Sequence, residues 1–186
     1  MNWQLTAKKL RLPLGFLLAA LYLAFARPQQ SSLLIGGTIA LVGVLARGWA
    51  SGHIHKNQKL ASTGPYAHTR NPLYFGSFLI SVGFAIAAHW ALIIGVIAFF
   101  VLIYMPTMER ERVMTGKRFP DLYPDYEKNV PAFIPRVLPW PGPANQPADD
   151  AGAFSFDLYM KHGEWKAGLG FLGAMAWLMF RLRSGL

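Results

Sequence analysis

Residues 71–108 read NPLYFGSFLISVGFAIAAHWALIIGVIAFFVLIYMPTM, 38 positions without a Lys, Arg, Asp or Glu. At about 1.5 Å per residue, one straight helix of that length would run about 57 Å, against a hydrocarbon core of about 30 Å. Two spans fit where one does not. The run predicts a hairpin, Leu73–Ala88 and Ala91–Met105, with His89-Trp90 as its interfacial turn. Each arm is slightly short for a full span, which tilt or local thinning accommodates. Pro106 and Thr107 are expected to end the hairpin, and Glu109 to open a new charged helix with its carboxylates in the first turn.

Further apolar runs lie on either side. Leu14 to Ala26 follows Lys8, Lys9 and Arg11. Ala24-Phe25-Ala26 resembles a signal-cleavage site, but the spans that follow favour a retained transmembrane helix. Arg27-Pro28-Gln29-Gln30 is a polar break. Ser31 to Ala46 is the next run, and Gly36, Gly37 and Gly43 suit close helix packing in lipid. Arg47 and Trp49 mark its far end as interfacial residues do. Ala167 to Phe180 is the last run, flanked by Trp165, Arg181 and Arg183. Between them, prolines at 131, 135, 139, 141, 143 and 147 exclude a continuous helix. That segment is expected to lie along the membrane with Trp140 as an anchor. The expected architecture is an all-α, polytopic membrane protein of about five transmembrane helices. It forms a single domain over 1–186 with a C-terminal helix at 164–183.

Composition agrees. The chain is 53% hydrophobic and 15% charged, against roughly 25% charged for soluble domains. It has no cysteine, which excludes thiolate chemistry and disulfides. The net charge of +9 is laid out as short basic clusters between apolar runs, which favours membrane lipids over nucleic acid as the partner. With the N-terminus in the cytoplasm, the cytoplasmic segments 1–13, 47–72 and 106–166 hold fifteen Lys/Arg and the opposite face holds three. This bias satisfies the positive-inside rule and puts both polar segments of interest on one face.

Those segments flank the hairpin. The first is Gly64-Pro65-Tyr66-Ala67-His68-Thr69-Arg70-Asn71-Pro72-Leu73-Tyr74-Phe75-Gly76, and the second runs from Glu109 to Tyr126. Arg70 is suited to a carboxylate, from Glu109, from Glu111 or from a ligand. Tyr66, Tyr74, Tyr123 and Tyr126 offer flat apolar faces with a hydroxyl, and Gly64 and Gly76 allow close approach to backbone. The inventory suits a nucleoside-bearing cofactor with an amino-acid tail. An Arg–Glu network that only sets topology uses the same residues. His53 and His55 lack a third ligand, so no metal site is expected.

The pattern Gly-Pro-Tyr-x-x-x-Arg-Asn-Pro-x-Tyr-x-Gly at 64–76 resembles the G-x-Y-x-x-x-R-H-P-x-Y-x-G signature of the isoprenylcysteine carboxyl methyltransferase and phospholipid methyltransferase group of membrane enzymes. Glu109-x-Glu111, Phe119-Pro120-x-x-Tyr123-x-x-Tyr126 and Val130-x-x-x-Ile134-Pro135 resemble that group's second element, and His53-x-x-Lys56-Asn57 its upstream His-x-x-Gln-Asn. The resemblance covers a core of roughly 40–136. Asn71 stands where the commonest signature has histidine, Pro120 replaces a glycine, and Glu-Arg-Glu-Arg replaces an adjacent glutamate pair.

The resemblance implies an integral-membrane methyltransferase that uses S-adenosyl-L-methionine. It implies a hydrophobic acceptor, either an isoprenylcysteine-like carboxylate or a lipid-like group, with a phospholipid amine as the alternative. By the same resemblance, His53, Lys56, Tyr66, Arg70, Asn71, Tyr74, Gly76 and Tyr126 are cofactor-side residues, and Glu109, Glu111 and Arg70 are catalytic candidates. A non-catalytic membrane carrier or scaffold is the different-class alternative. No charged residue falls within a proposed span, which weakens an ion-pathway role.

Overall fold

The computed structural model describes residues 3–54, 59–142 and 153–185, and these are helical with no strand among them. Helices α1 (Trp3–Phe25) and α2 (Gln30–Ser51) lead to a short 3₁₀ turn at Gly64–Ala67. Then come α3 (Pro72–Ala88), α4 (Leu92–Phe99), a π-helical turn (Phe100–Tyr104) and α5 (Met105–Arg118). Among the described residues that follow are α6 (Tyr123–Asn129), α7 (Phe156–His162) and α8 (Trp165–Ser184). Two helices among the described residues are long and apolar enough to cross a membrane, Gln30–Ser51 and the continuous Leu92–Arg118, and Leu12–Phe25 and Pro72–Ala88 are shorter apolar helices. Their outward faces carry large exposed aliphatics such as Leu34, Ile94 and Leu102.

The hairpin turns where the sequence places it. α3 ends at Ala88, and the Ala91 N–H donates to the His89 ring nitrogen at 3.2 Å. The preceding break packs against the same turn, because the Arg27 N–H donates to the Ala88 carbonyl at 2.9 Å.

α2 and α3 meet through small residues. A Cβ on Gly36 would stand 2.3 Å from the Gly83 carbonyl oxygen, and one on Gly43 would stand 2.6 Å from that of Gly76. Only glycine permits this approach. Gly76, expected to admit a ligand, is therefore a packing residue, since its Cβ would meet the Arg47 Cγ at 2.6 Å. Gly37 faces α8 instead, against Met175.

The second arm does not stop at Pro106. A proline has no N–H, and its ring clashes with the carbonyl four residues back. Here the preceding turn widens to a π-helix over Phe100–Tyr104, which re-aims that carbonyl and lets the helix run on. Phe100 and Tyr104 stack at 4.4 Å across the widened turn, and the Thr107 hydroxyl donates to the Ile103 carbonyl at 2.7 Å. Glu109 and Glu111 thus sit inside a 27-residue helix, past its apolar part, and not at a helix N-terminus.

The proline-rich segment is irregular over 130–142, as its prolines require. Trp140 is not a lipid anchor. It is buried, in a cluster with Tyr123, Tyr126 and Val130.

Candidate active site

A cleft of about 990 Å³ opens where the N-terminus of α3, the polar end of α5 and the α6 segment converge. The hairpin brings the two motif segments together because they leave its two ends on the same side. Tyr66, Arg70, Asn71, Tyr74, Glu109, Glu111 and Tyr126 all line the cleft. His53 and Gly76 do not. His53 packs edge-on against Gly64, where a Cβ would lie 2.5 Å from the imidazole, and Gly64 holds φ +55°. The His53 Nδ1 lies 2.9 Å from the Trp49 carbonyl oxygen. Its place is to shape the turn that carries Tyr66. Lys56 lies outside the described residues.

The signature segment is held by the proline-rich segment. The Arg70 N–H donates to the Pro131 carbonyl at 2.9 Å, and the Asn71 side-chain amide donates to the Ala132 carbonyl at 2.8 Å. Asn71 is thus a structural clip, a role that needs a donor and no proton transfer. Tyr66 and Tyr126 are linked directly, the Tyr126 hydroxyl donating to the Tyr66 carbonyl at 2.8 Å. Burial pushes both phenols well above their ordinary pKa. Burial likewise raises Tyr123, with the hydrogen bond from Arg70 opposing it.

The charges pair differently from the sequence expectation. Arg70 binds neither Glu109 nor Glu111. Its Nη1 donates to Glu127 and, at 3.3 Å, to the Tyr123 hydroxyl. Glu127 also receives Arg112 at 3.2 Å. Glu109 is held in a bidentate pair by the Nε–Nη2 edge of the Arg112 guanidinium, at 2.8 and 2.7 Å. Glu111 accepts from the Tyr74 hydroxyl at 2.7 Å and has no ion pair among the described residues. The helix α6 supplies Glu127 because it folds back onto the α3 entrance.

Sequence reasoning also missed Arg47, which lines the cleft. Its Nε and Nη2 engage both Glu164 oxygens at 2.9 and 2.7 Å, and its Nη1 donates to the Leu73 carbonyl and the Ser77 hydroxyl. The start of α8 is thereby fastened to the wall of the cleft.

Two polar groups at the cleft have no partner among the described residues: the buried Tyr66 hydroxyl and the buried Arg70 Nε. A buried donor left unmet costs free energy of about 1–3 kcal/mol. Both groups therefore favour a ligand that accepts hydrogen bonds.

Among the described residues, no three His, Asp or Glu side chains gather as metal ligands. Two curated relatives carry metal-resistance names. The nickel-cobalt-cadmium resistance protein NccN of Alcaligenes xylosoxydans xylosoxydans is 33% identical over 107 residues, covering 56% of this chain and 48% of that protein. The cobalt-zinc-cadmium resistance protein CzcN of Cupriavidus metallidurans is 30% identical over 137 residues, covering 68% of this chain and 62% of that protein. The chain thus matches about half to three-fifths of the length of these relatives. No solved structure matches the chain. The family model for phospholipid methyltransferase matches residues 33–121, which hold most of α2, the 64–76 signature, the hairpin and both cleft glutamates. That match covers a little under half of the chain, and over those residues the chain is similar to the phospholipid methyltransferase family.

Proposed function

We propose that the chain is an integral-membrane methyltransferase that binds S-adenosyl-L-methionine in the cleft and methylates a hydrophobic acceptor held in the bilayer. The observation that carries this reading is the pair of unpartnered buried groups, Tyr66 Oη and Arg70 Nε, in one cleft. A guanidinium with an unpartnered Nε suits the carboxylate of an amino-acid tail, since carboxylates bind arginine through such edges. The residues present therefore fit the cofactor. Arg70 and Tyr66 would hold its polar tail, with Tyr74, Phe119 and Tyr126 offering apolar ring faces around it. When bound, S-adenosyl-L-methionine supplies a methyl group on a sulfonium, open to in-line displacement by a nucleophile.

The chain's own task is positioning and exclusion of water. Arg70 is kept in place from below by Glu127 and Tyr123, and Asn71 clips its loop. Met105 and Met108 line the apolar side of the cleft, toward the membrane end of α5. A carboxylate acceptor needs no base, because it is ionised at neutral pH. A phospholipid amine must lose a proton, and Glu111 is the better placed base. It is bound by a tyrosine hydroxyl, whereas Glu109 is neutralised by Arg112. The second reading, an amine N-methyltransferase, rests on that contrast.

Five membrane-spanning helices, α1, α2, α3, α4–α5 and α8, complete the proposal, with the N-terminus and the cleft on the cytoplasmic face as the Lys/Arg bias requires. Partners are membrane lipids and a lipid-like or prenylated acceptor, with no role for nucleic acid.

The test is methyl transfer. Purified protein in lipid discs is incubated with methyl-labelled S-adenosyl-L-methionine and lipid extracts, and the lipid fraction is counted. Label in that fraction, lost in Arg70→Ala, is expected. Folded protein that transfers no label to lipid, protein or small-thiol fractions contradicts the enzymatic reading and leaves a carrier or scaffold.

A further inference from the structure

The segment 130–142 holds the most outward apolar side chains of the described molecule. Val137 is 92% exposed, Ile134 75% and Leu138 72%. None of the three lines the cleft. The segment is nevertheless rigidly held. The Arg136 N–H donates to the His68 carbonyl at 2.9 Å, the Trp140 N–H to the Ala67 carbonyl at 3.0 Å, and the Thr69 hydroxyl to the Phe133 carbonyl at 3.0 Å. Together with the bonds to Arg70 and Asn71, these make the segment a stiff extension of the signature stretch.

Its depth follows from Phe133. That ring packs against Phe75 at 5.7 Å, Phe78 at 5.6 Å and Phe100 at 6.2 Å. Phe78 lies in the second turn of α3, about 9 Å along the helix from Pro72. The segment therefore dips beside the apolar part of the hairpin, and Ile134 follows directly. Its chemistry suits that depth. Arg136 is the only charged residue in 130–142, and its guanidinium turns back onto the Asn129 carbonyl at 2.9 Å. Pro135 and Pro139 have no N–H to satisfy, and the N–H groups that follow them are bonded. Trp140, the residue that would ordinarily anchor such a segment, faces inward.

We propose that residues 134–138 form an interfacial anchor. Ile134, Val137 and Leu138 enter the boundary between headgroups and acyl chains, as apolar groups of membrane-surface segments do. Through the bonds to residues 67–71 the anchor fixes the depth of the signature stretch, and with it the level at which the cleft meets the bilayer. The proposal rests on the membrane reading given above, and the occupant is the bilayer itself.

The chain has no cysteine, so single-cysteine variants can be labelled cleanly. V137C and L138C, in full-length protein in phosphatidylcholine discs, are labelled with an environment-sensitive fluorophore. Brominated phosphatidylcholine then serves as the quencher. I94C, on the outward face of α4, reports the spans, and K128C reports an exposed polar site. Quenching at Val137 and Leu138 is expected to exceed that at Lys128 by about twofold or more, because groups at this boundary lie about 5–10 Å into it. If both labels behave like Lys128 and a water-soluble quencher reaches them, the anchor is refuted while quenching at Ile94 still supports the spans. If Ile94 is also unquenched, the membrane reading falls and the anchor with it. Shielding from both lipid and aqueous quenchers means that protein covers the segment, and it also overturns the proposal.

Discussion

The Tyr126 hydroxyl donates to the Tyr66 carbonyl at 2.8 Å, and this buried bond, with the exposed Tyr74–Glu111 bond and the Arg70–Tyr123 bond, joins the two motif segments across 60 residues of chain. Both rings are buried, at 2 and 6% exposure, so water does not readily replace the bond. Tyr126→Phe leaves a buried carbonyl unmet and should cost about 1–3 kcal/mol. Thermal unfolding in detergent should show a lowered Tm, and S-adenosylhomocysteine should bind more weakly. A variant with unchanged Tm and affinity would show that this bond contributes nothing measurable to holding the segments together.

The Arg47–Glu164 pair spans 117 residues and fastens α8 to the cleft. Its side chains are 24 and 13% exposed, so the pair is partly screened. Glu164→Gln should destabilise by about 1–3 kcal/mol, less than breaking a fully buried pair. Arg47→Gln alone should be similar, and the double variant should cost less than the sum. A double-variant cycle by thermal unfolding measures this, and strict additivity would mean that the two residues do not interact.

Packing of α2 on α3 gives a steric prediction. A Cβ on Gly83 would lie 2.5 Å from the Ala40 backbone nitrogen, where neither helix can yield cheaply. Gly83→Ala should therefore lower stability by about 1–3 kcal/mol through overpacking. Gly173→Ala, whose Cβ would meet nothing within 4 Å, is the control and should be nearly neutral. Equal Tm values for the two variants would contradict the packing.

The buried phenols predict an alkaline limit. Burial raises Tyr66 and Tyr126 above the ordinary tyrosine value, which is about 10. Below about 10 both states carry the neutral phenol, and the stabilising difference is fully present. As pH rises past that value the unfolded chain loses the protons and the folded chain keeps them, so stability falls. Denaturant midpoints should therefore drop as pH rises above about 10, and less steeply in Tyr126→Phe. A flat profile in the wild-type protein would show that the rings are hydrated.

Much of this was legible from local chemistry. The hairpin and its His89-Trp90 turn follow from charge-free length alone, and the α2 glycines from the need for close contact. The convergence of both motif segments follows from their leaving the two ends of one hairpin. What was not legible depends on tertiary partners. Pro106 reads as a stop unless the Phe100–Tyr104 turn is known to widen. Arg70 invites the glutamates nearest the hairpin, but Glu127 reaches it through the fold of α6. Glu164 lies too far along the chain to be paired with Arg47 by spacing. Trp140 looks like a membrane anchor, and only packing shows that it belongs to the Tyr123–Tyr126 cluster.

The central claim is that Arg70 and Tyr66 close on the tail of S-adenosyl-L-methionine. Calorimetric titration of the folded, detergent-purified protein with S-adenosylhomocysteine tests it most directly, with Arg70→Ala and Arg70→Lys in parallel. We predict saturable binding by the wild-type protein. Arg70→Ala should be weaker by tenfold or more, about 1.4 kcal/mol or above, and Arg70→Lys should recover only part of the loss, because lysine has no Nε edge. No binding by folded wild-type protein at millimolar ligand, or equal affinity in all three, would contradict the account.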